Sequence, residues 1–174
     1  MISFLIMINK YGHILSLKQY LSKCIAMKEY LWKLKNAILS SITRQTIGVR
    51  CMIIKDNQVF LVKHSYMPMW YHVGGGIDAK ESPISAIKRE LMEEAGISCL
   101  ADPELYGVYL NNFQNRDDFV IFYTASNVTQ KEVKCHEIAD SGWFNLENLP
   151  TDISPATKRR IEEYLGSRDK SDMW

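Results

Sequence analysis

The sequence predicts an α+β fold in which a mixed β-sheet is held between helices on both faces. Three observations support this. Extended runs and helical runs interleave without strict β–α–β alternation, so the sheet is expected to be mixed. Two stretches, residues 83–95 and 155–165, carry both start and stop signals for helices. The chain of 174 residues, 47% hydrophobic and 24% charged, suits one well-packed domain.

The first element expected is a helix over residues 16–42. Leu17, Tyr20, Leu21, Cys24, Leu31, Leu34, Ile38, Leu39 and Ile42 keep near-helical spacing. Lys18, Lys23 and Lys33 fall off that stripe, whereas Lys28 and Lys35 fall within it and must snorkel to water. Two readings stand: packing on the domain or on a second subunit in a homodimer, or weak contact of residues 1–45 with an anionic membrane surface. Charge is uneven along the chain. Residues 1–50 hold eight Lys or Arg against Glu29 alone, a net of +7. The remainder holds 13 basic and 19 acidic residues, a net of −6. A basic arm on an acidic body points to an anionic partner for the arm, or to attraction between arm and body.

Residues 46–52 and 58–63 are expected to form a strand pair around the turn Lys55-Asp56-Asn57. Residues 71–73 are a short extended run before three glycines. The helix over 83–95 has Ser82 as N-cap, Pro83 as first residue and Gly96 past its end. Residues 105–110, 119–125 and 142–144 read as strands. The last helix, over 155–165, is capped by Ser154 and followed by Gly166. These elements divide the chain into an extension (1–45), a domain (46–166) and a tail (167–174).

Cys24, Cys51, Cys99 and Cys135 are far apart and form no C-x-x-C pair, which argues against a zinc site and fits a reducing cytoplasm. The opening MISFLIMIN lacks the flanks of a signal peptide, and no stretch approaches the roughly 18 apolar residues of a spanning helix. A cytoplasmic location is expected, and nothing points to a specific nucleic acid.

The chemistry concentrates on the helix over 83–95. Ile84, Ile87, Leu91 and Ala95 share the face that should pack on the sheet. Glu90, Glu93 and Glu94 stand at i, i+3 and i+4 on a neighbouring stripe, where like charges repel. A hard divalent cation offsets that repulsion, because Mg²⁺ takes carboxylates, waters and phosphate oxygens together. Taken alone, such a cluster is more often a solvated face, and Gly74-Gly75-Gly76 more often a turn.

The order and spacing of the whole stretch, GGGIDAKESPISAIKRELMEEAGI, resemble the Nudix family. Gly75, Glu81, Arg89, Glu90, Leu91, Glu93, Glu94, Gly96 and Ile97 fill every specified position of the 23-residue Nudix box. Residues 46–73, with Trp70, and the later Gly142-Trp143-Phe144 and Leu149-Pro150 look like the family's flanking strands and turn. Residues 1–45 lie outside the likeness. The resemblance implies a Nudix-type α/β/α sandwich with an N-terminal helical extension. It also implies a pyrophosphohydrolase that uses Mg²⁺ or Mn²⁺ to cleave a diphosphate linkage in a small nucleotide derivative, by water attack on phosphorus. Glu90, Glu93 and Glu94 would be metal ligands together with the Gly74 carbonyl. Arg89 and Glu81 would orient the loop and the glutamates. The general base would be a box glutamate or a downstream acid, for which Glu137 is the first candidate and Asp117 and Asp118 are weaker ones. Gly75 and Gly76 would approach substrate, and Gly75, Glu81 and Gly96 would shape the motif.

Two positions depart from the family pattern. Val73 stands where proline is common, and Lys80 where glycine is frequent. Beyond the box, Arg116 can clamp a phosphate and Trp70, Tyr71 or Phe113 can stack on a base, although a solvated arginine and core aromatics are the plainer readings. His72 lies beside the glycines. His13, His64 and His136 form no ligand pattern with acids or cysteines. A catalytically silent Nudix-fold sensor of nucleotide metabolites remains the alternative, although no box glutamate is missing. The substrate stays open among ADP-ribose, nucleotide sugars, nucleoside triphosphates and dinucleoside polyphosphates.

Overall fold

A computed structural model describes residues 26–27, 29–31, 34, 45–113, 116–133 and 135–174, the side chains of Phe113 and Arg116 excepted. Of the helix expected over 16–42, the described residues Ala26, Met27, Glu29, Tyr30, Leu31 and Leu34 are helical, and the rest lies outside the described residues.

β1 (Gln45–Lys55) and β2 (Gln58–His64) form a hairpin with Lys55 opposite Gln58. Its two turn residues, Asp56 and Asn57, have φ of 49° and 61°, the handedness that suits a right-twisted two-residue hairpin. The strands then diverge, and the next stretch of chain enters the wedge between them. β3 (Trp70–Tyr71) pairs with β2, while Val73 and Gly76 bridge Cys51 and Gly48 of β1. Helix α1 is Pro83–Ala95.

β5 (Glu104–Phe113) and β6 (Arg116–Ala125) are antiparallel, and β6 runs parallel to β1 over nine pairs, from Gln45–Asp117 to Ile53–Ala125. β8 (Ile138–Asn145) pairs with β2, and α2 is Pro155–Tyr164. The sheet order is β3-β2-β1-β6-β5 with β8 beside β2, so the sheet is mixed as expected. A separate pair, β4 (Ile97–Cys99) and β7 (Val128–Gln130), was not legible as strands because each is only three residues long.

Two apolar clusters lie on opposite faces of the sheet. Val49, Cys51, Ile53, Phe60 and Val62 meet Ala86, Ile87 and Leu91 of α1. Met52, Val59, Leu61, Trp70, Tyr109 and Phe122 meet Ile161 of α2. The strand period of two sends alternate residues to the two helices. Within the second layer Arg160 pairs with Glu163 at 2.7 Å, both side chains fully buried, and stacks on Tyr109. The residues set apart as a tail fold back. The Leu110 N–H donates to the Asp172 carbonyl, the Trp174 N–H donates to the Leu110 carbonyl, and the Trp174 ring packs on Tyr109 and Phe122. The end of the chain thereby covers the exposed edge of β5.

Candidate active site

Helix α1 starts and stops on its own sequence. Ser82 Oγ accepts the Ser85 N–H at 3.2 Å, Pro83 opens the first turn, and Gly96, at φ 64°, closes the last. Burial of Ala86, Ile87, Leu91 and Ala95 rotates the glutamate stripe to the rim of the sheet. Glu90 and Glu94 are drawn inward, with side chains 12% and 8% exposed, while Glu93 stays in solvent at 59%.

Arg89 organises this stripe. All five of its N–H donors find acceptors. Nε and Nη2 grip the two oxygens of Glu81, each at 2.9 Å. Nη2 also reaches the Gly76 carbonyl at 3.1 Å. Nη1 bridges Glu90 Oε1 at 2.8 Å and Glu93 Oε2 at 3.3 Å. The hydrogen bonds from Arg89, and then the one from the Asp78 N–H, hold the Glu81 carboxyl down to about 2. Hydrogen bonds to Glu81 and then to Glu90 raise Arg89 above its ordinary value. Helix, loop and glycine strand are thus joined through one guanidinium.

The glycines set the depth of the site. The Gly74 N–H donates to Glu94 Oε2 at 3.1 Å, while Val73 and Gly75 carbonyls accept from Cys51 and Val49. Gly74 has φ +145°, and a Cβ there would stand 2.2 Å from the Val49 carbonyl oxygen. A Cβ on Gly75 would lie 2.3 Å from Glu90 Oε1, so the Glu90 carboxylate occupies the space that glycine leaves.

Burial pushes the Glu94 carboxyl up to about 7. Arg50 and the Gly74 N–H oppose the shift, while Glu90 and Glu137 add to it. Glu90 is raised by burial against the pull of Arg89. Two inward carboxylates with elevated proton affinity form a region that favours positive charge.

Of three residues near Glu94, Arg50 and Tyr66 escaped the sequence reading, and His64, read there as forming no pattern with acids, lies beside one. His64 Nδ1 lies 3.8 Å from Glu94 Oε1, and burial followed by Arg50 lowers the imidazole to about 4, so it is neutral at pH 7. Tyr66 sits 5.2 Å from the His64 ring, its phenol pushed up to about 12 by burial and then by Glu137 and Glu94. Arg50 is the cation felt by His64, Glu90 and Glu94. A signal existed for two of them. Phe60, Val62 and His64 alternate along β2 onto the α1 face, and Arg50 is the lone charge in the otherwise apolar run of β1.

Glu137 is brought toward this group. Its carbonyl accepts the Ser65 N–H at 2.8 Å, which ties its loop to the end of β2 beside His64. A recess of about 360 Å³ opens between Glu94 and Val133, Cys135 and Ile138 to Ser141. Asp118 is engaged elsewhere, by Thr46 Oγ1 at 2.7 Å and by Asn111, and Asp117 lies opposite Gln45. Trp70 is not brought to the glutamates. Its ring is buried in the α2 layer against Phe144, because its strand parity faces it away from α1. His72 is likewise buried, beside Phe122. Arg116 opens β6 opposite Phe113, and its side chain is outside the described residues.

Among the described residues, no three His, Cys, Asp or Glu side chains converge at metal-ligand spacing. The donor chemistry nevertheless suits a hard cation. Arg89 takes one oxygen each of Glu90 and Glu93 and leaves the other, and Gly74 takes one oxygen of Glu94.

The sequence pattern of the NUDIX domain family matches residues 44–164. A Bacillus subtilis (strain 168) protein named "Putative 8-oxo-dGTP diphosphatase" is 30% identical over 127 residues, covering 71% of this chain and 83% of the relative. The crystal structure of a MutT NUDIX hydrolase from Burkholderia pseudomallei superposes with a TM-score of 0.61 at 25% identity, covering 69% of this chain and 98% of that one. A MutT protein from Methanosarcina mazei Go1 shares the fold with a TM-score of 0.60 at 21% identity, over 75% of this chain and 99% of that one. With the box complete from Gly75 to Ile97 and its arginine, glycines and glutamates assembled at one rim of the sheet, the chain belongs to the Nudix family and is a Nudix pyrophosphohydrolase.

Proposed function

We propose that this enzyme hydrolyses a diphosphate linkage in a nucleoside diphosphate or triphosphate derivative and depends on Mg²⁺ or Mn²⁺. The observation that carries the reading is the buried inward pair Glu90 and Glu94, of which Glu94 makes no ion-pair contact with a lysine or arginine among the described residues, beside Gly74 and Gly75, where the backbone comes close. Glu90, Glu93, Glu94 and the Gly74 carbonyl would hold the cation. Bound there, it supplies neutralisation of the diphosphate oxygens and a more acidic water.

The chain's own residues do the rest. Arg89 and Glu81 keep the loop of residues 76–82 against the helix. Gly75 and Gly76 let main chain approach the phosphates. Glu137, whose backbone carbonyl accepts the Ser65 N–H and whose charge adds to the upward shift of Glu94, would accept the proton of the attacking water as general base. The name of the Bacillus subtilis relative supports testing nucleoside triphosphates first, an oxidised guanine deoxynucleotide among them. The catalytic domain is assigned to residues 46–166, with 1–45 as an extension.

The test is a nucleotide panel with and without Mg²⁺, with product masses read by mass spectrometry, for the wild type, Glu93→Gln and Glu137→Gln. Hydrolysis that needs the cation and is lost in Glu93→Gln supports the proposal. Tight nucleotide binding with no product from any substrate identifies a silent sensor instead. Glu137→Gln should keep cation binding and lose turnover, and unchanged turnover removes Glu137 from the base role.

A further inference from the structure

One face of the sheet is only partly covered. On the α1 side, Ile47 of β1, Phe119 of β6 and Leu110 of β5 form a row across three neighbouring strands, continued by Met173 of the returning C-terminal segment. Val108 and Leu105 continue the same face along β5, because their partners Ile121 and Tyr123 alternate with Phe119 on β6. Helix α1 packs in one cluster with β1 from Val49 onward, with β2 and with Ile121 and Tyr123 of β6, and that cluster contains neither Ile47 nor any residue of β5. Ile47, Leu105, Val108 and Met173 are therefore 55%, 62%, 52% and 46% exposed. Contiguous apolar exposure of this kind marks an interaction surface.

A second apolar surface is open on the same chain. Met27, Tyr30, Leu31 and Leu34 stand at i, i+3, i+4 and i+7 of a helical stretch, which places them on one stripe, and all four are exposed. The chain leaving this stripe enters the sheet at Gln45, two residues before Ile47, at the corner of the open face. The eleven steps from Leu34 to Gln45 reach up to about 36 Å when extended. The distance from β1 across β6 to β5 is only about 10 Å. Charge agrees with the match: residues 1–50 carry a net of +7 and the remainder −6, and Asp117 stands on the open face at its outer end.

We propose that the N-terminal stripe around Met27–Leu34 docks on the open α1-side face formed by Ile47, Val108 and Leu105 of its own chain, so that the extension is a third layer of the domain. Docking buries both apolar surfaces and brings the basic arm onto the acidic body.

The experiment places a photo-crosslinking benzoylphenylalanine at Val108 of the full-length chain, with one at Tyr164 on α2 as the control on the opposite face. Crosslinked peptides are mapped by mass spectrometry. A crosslink from position 108 to residues 26–34 at monomer mass, absent from position 164, is the expected result. Leu31→Glu should lower its yield by about tenfold, since one buried leucine contributes enough apolar area for that factor. A crosslink found only at dimer mass overturns docking within the chain and assigns the face to a second copy. No crosslink to residues 26–34 also overturns it. So does co-sedimentation with phosphatidylglycerol vesicles that Leu31→Glu abolishes while the crosslink is absent.

Discussion

Arg89 grips Glu81 through two parallel hydrogen bonds, Nε to Oε1 and Nη2 to Oε2, both 2.9 Å long, across eight residues of sequence. The pair fastens the loop that follows the glycines onto the second turn of α1. Lysine offers a point charge without this fork. Arg89→Lys should therefore release Glu81, Gly76 and one of the two glutamates together. The expected loss in kcat/KM is about 10²-fold, equivalent to one or two charge-assisted hydrogen bonds. Steady-state kinetics beside far-UV circular dichroism is the check, and activity within about twofold of wild type would show that the clamp is dispensable.

The three glycines should separate geometry from stability. A methyl group at Gly76 meets nothing within 4 Å. Gly76→Ala is expected to be near neutral in stability. Gly75→Ala presses on the Glu90 carboxylate, the far end of a flexible side chain, so activity should fall by more than about tenfold while stability changes by under about 1 kcal/mol. Gly74→Ala meets the Val49 backbone at φ +145°, where nothing can yield cheaply, and should cost about 2–4 kcal/mol. Urea titrations and turnover measured on the same three variants give the ranking, and an equal stability loss at positions 74 and 76 would refute the geometric account.

Lys80 explains one departure from the family pattern. Its φ is 68°, a left-handed conformation that glycine adopts without strain. Lys80→Gly should relieve about 1 kcal/mol of strain, less the entropy glycine gains when unfolded, for a net gain of about 0.5 kcal/mol. In a domain of this size that raises Tm by about 1–2 °C. A lowered Tm by differential scanning calorimetry would mean that the lysine side chain contributes more than its backbone costs.

His72 should make the fold acid-sensitive. Burial lowers the buried imidazole to about 3, opposed by the Thr157 backbone and then reinforced by Arg50 and Arg160. A folded-state pKa below the unfolded value of about 6.5 means that the neutral ring is favoured in the fold. Its contribution to stability is then complete above pH 6.5 and is lost as pH falls toward 3, by about 2 kcal/mol at pH 5. His64, lowered to about 4, acts in the same direction. Between pH 8 and pH 5, His72→Leu should lose about 2 kcal/mol less than wild type in urea unfolding. Identical losses would place the acid sensitivity elsewhere.

Local signals were sufficient for the elements that depend on local physics. Ser82, Pro83 and Gly96 bound α1 at the residues expected, because caps act within one turn. Ser154 and Pro155 start α2, which ends one residue earlier than expected, at Tyr164. Strand ends were read short, since β5 and β6 extend through the polar residues Asn111, Asn112 and Asp118, and the Asn111 amide donates to Asp118 across the ladder. The sequence 167–174 carries no periodic signal, and its docking depends on Tyr109, Phe122 and Arg160, which lie far back along the chain.

The box from Gly75 to Ile97 determined by itself the family, the α1 helix and the positions of its glutamates, because one helix of fixed pitch sets all those spacings. Tertiary structure alone decided the environment of each glutamate. Equal in sequence, Glu90 and Glu94 are buried and pushed up while Glu93 is solvated, and only folding brings Arg50, His64, Tyr66 and Glu137 to them. It also removed Trp70 to the opposite layer. The physical reason is that spacing along a helix is a local property, whereas burial and Coulomb partners depend on segments that are distant in sequence.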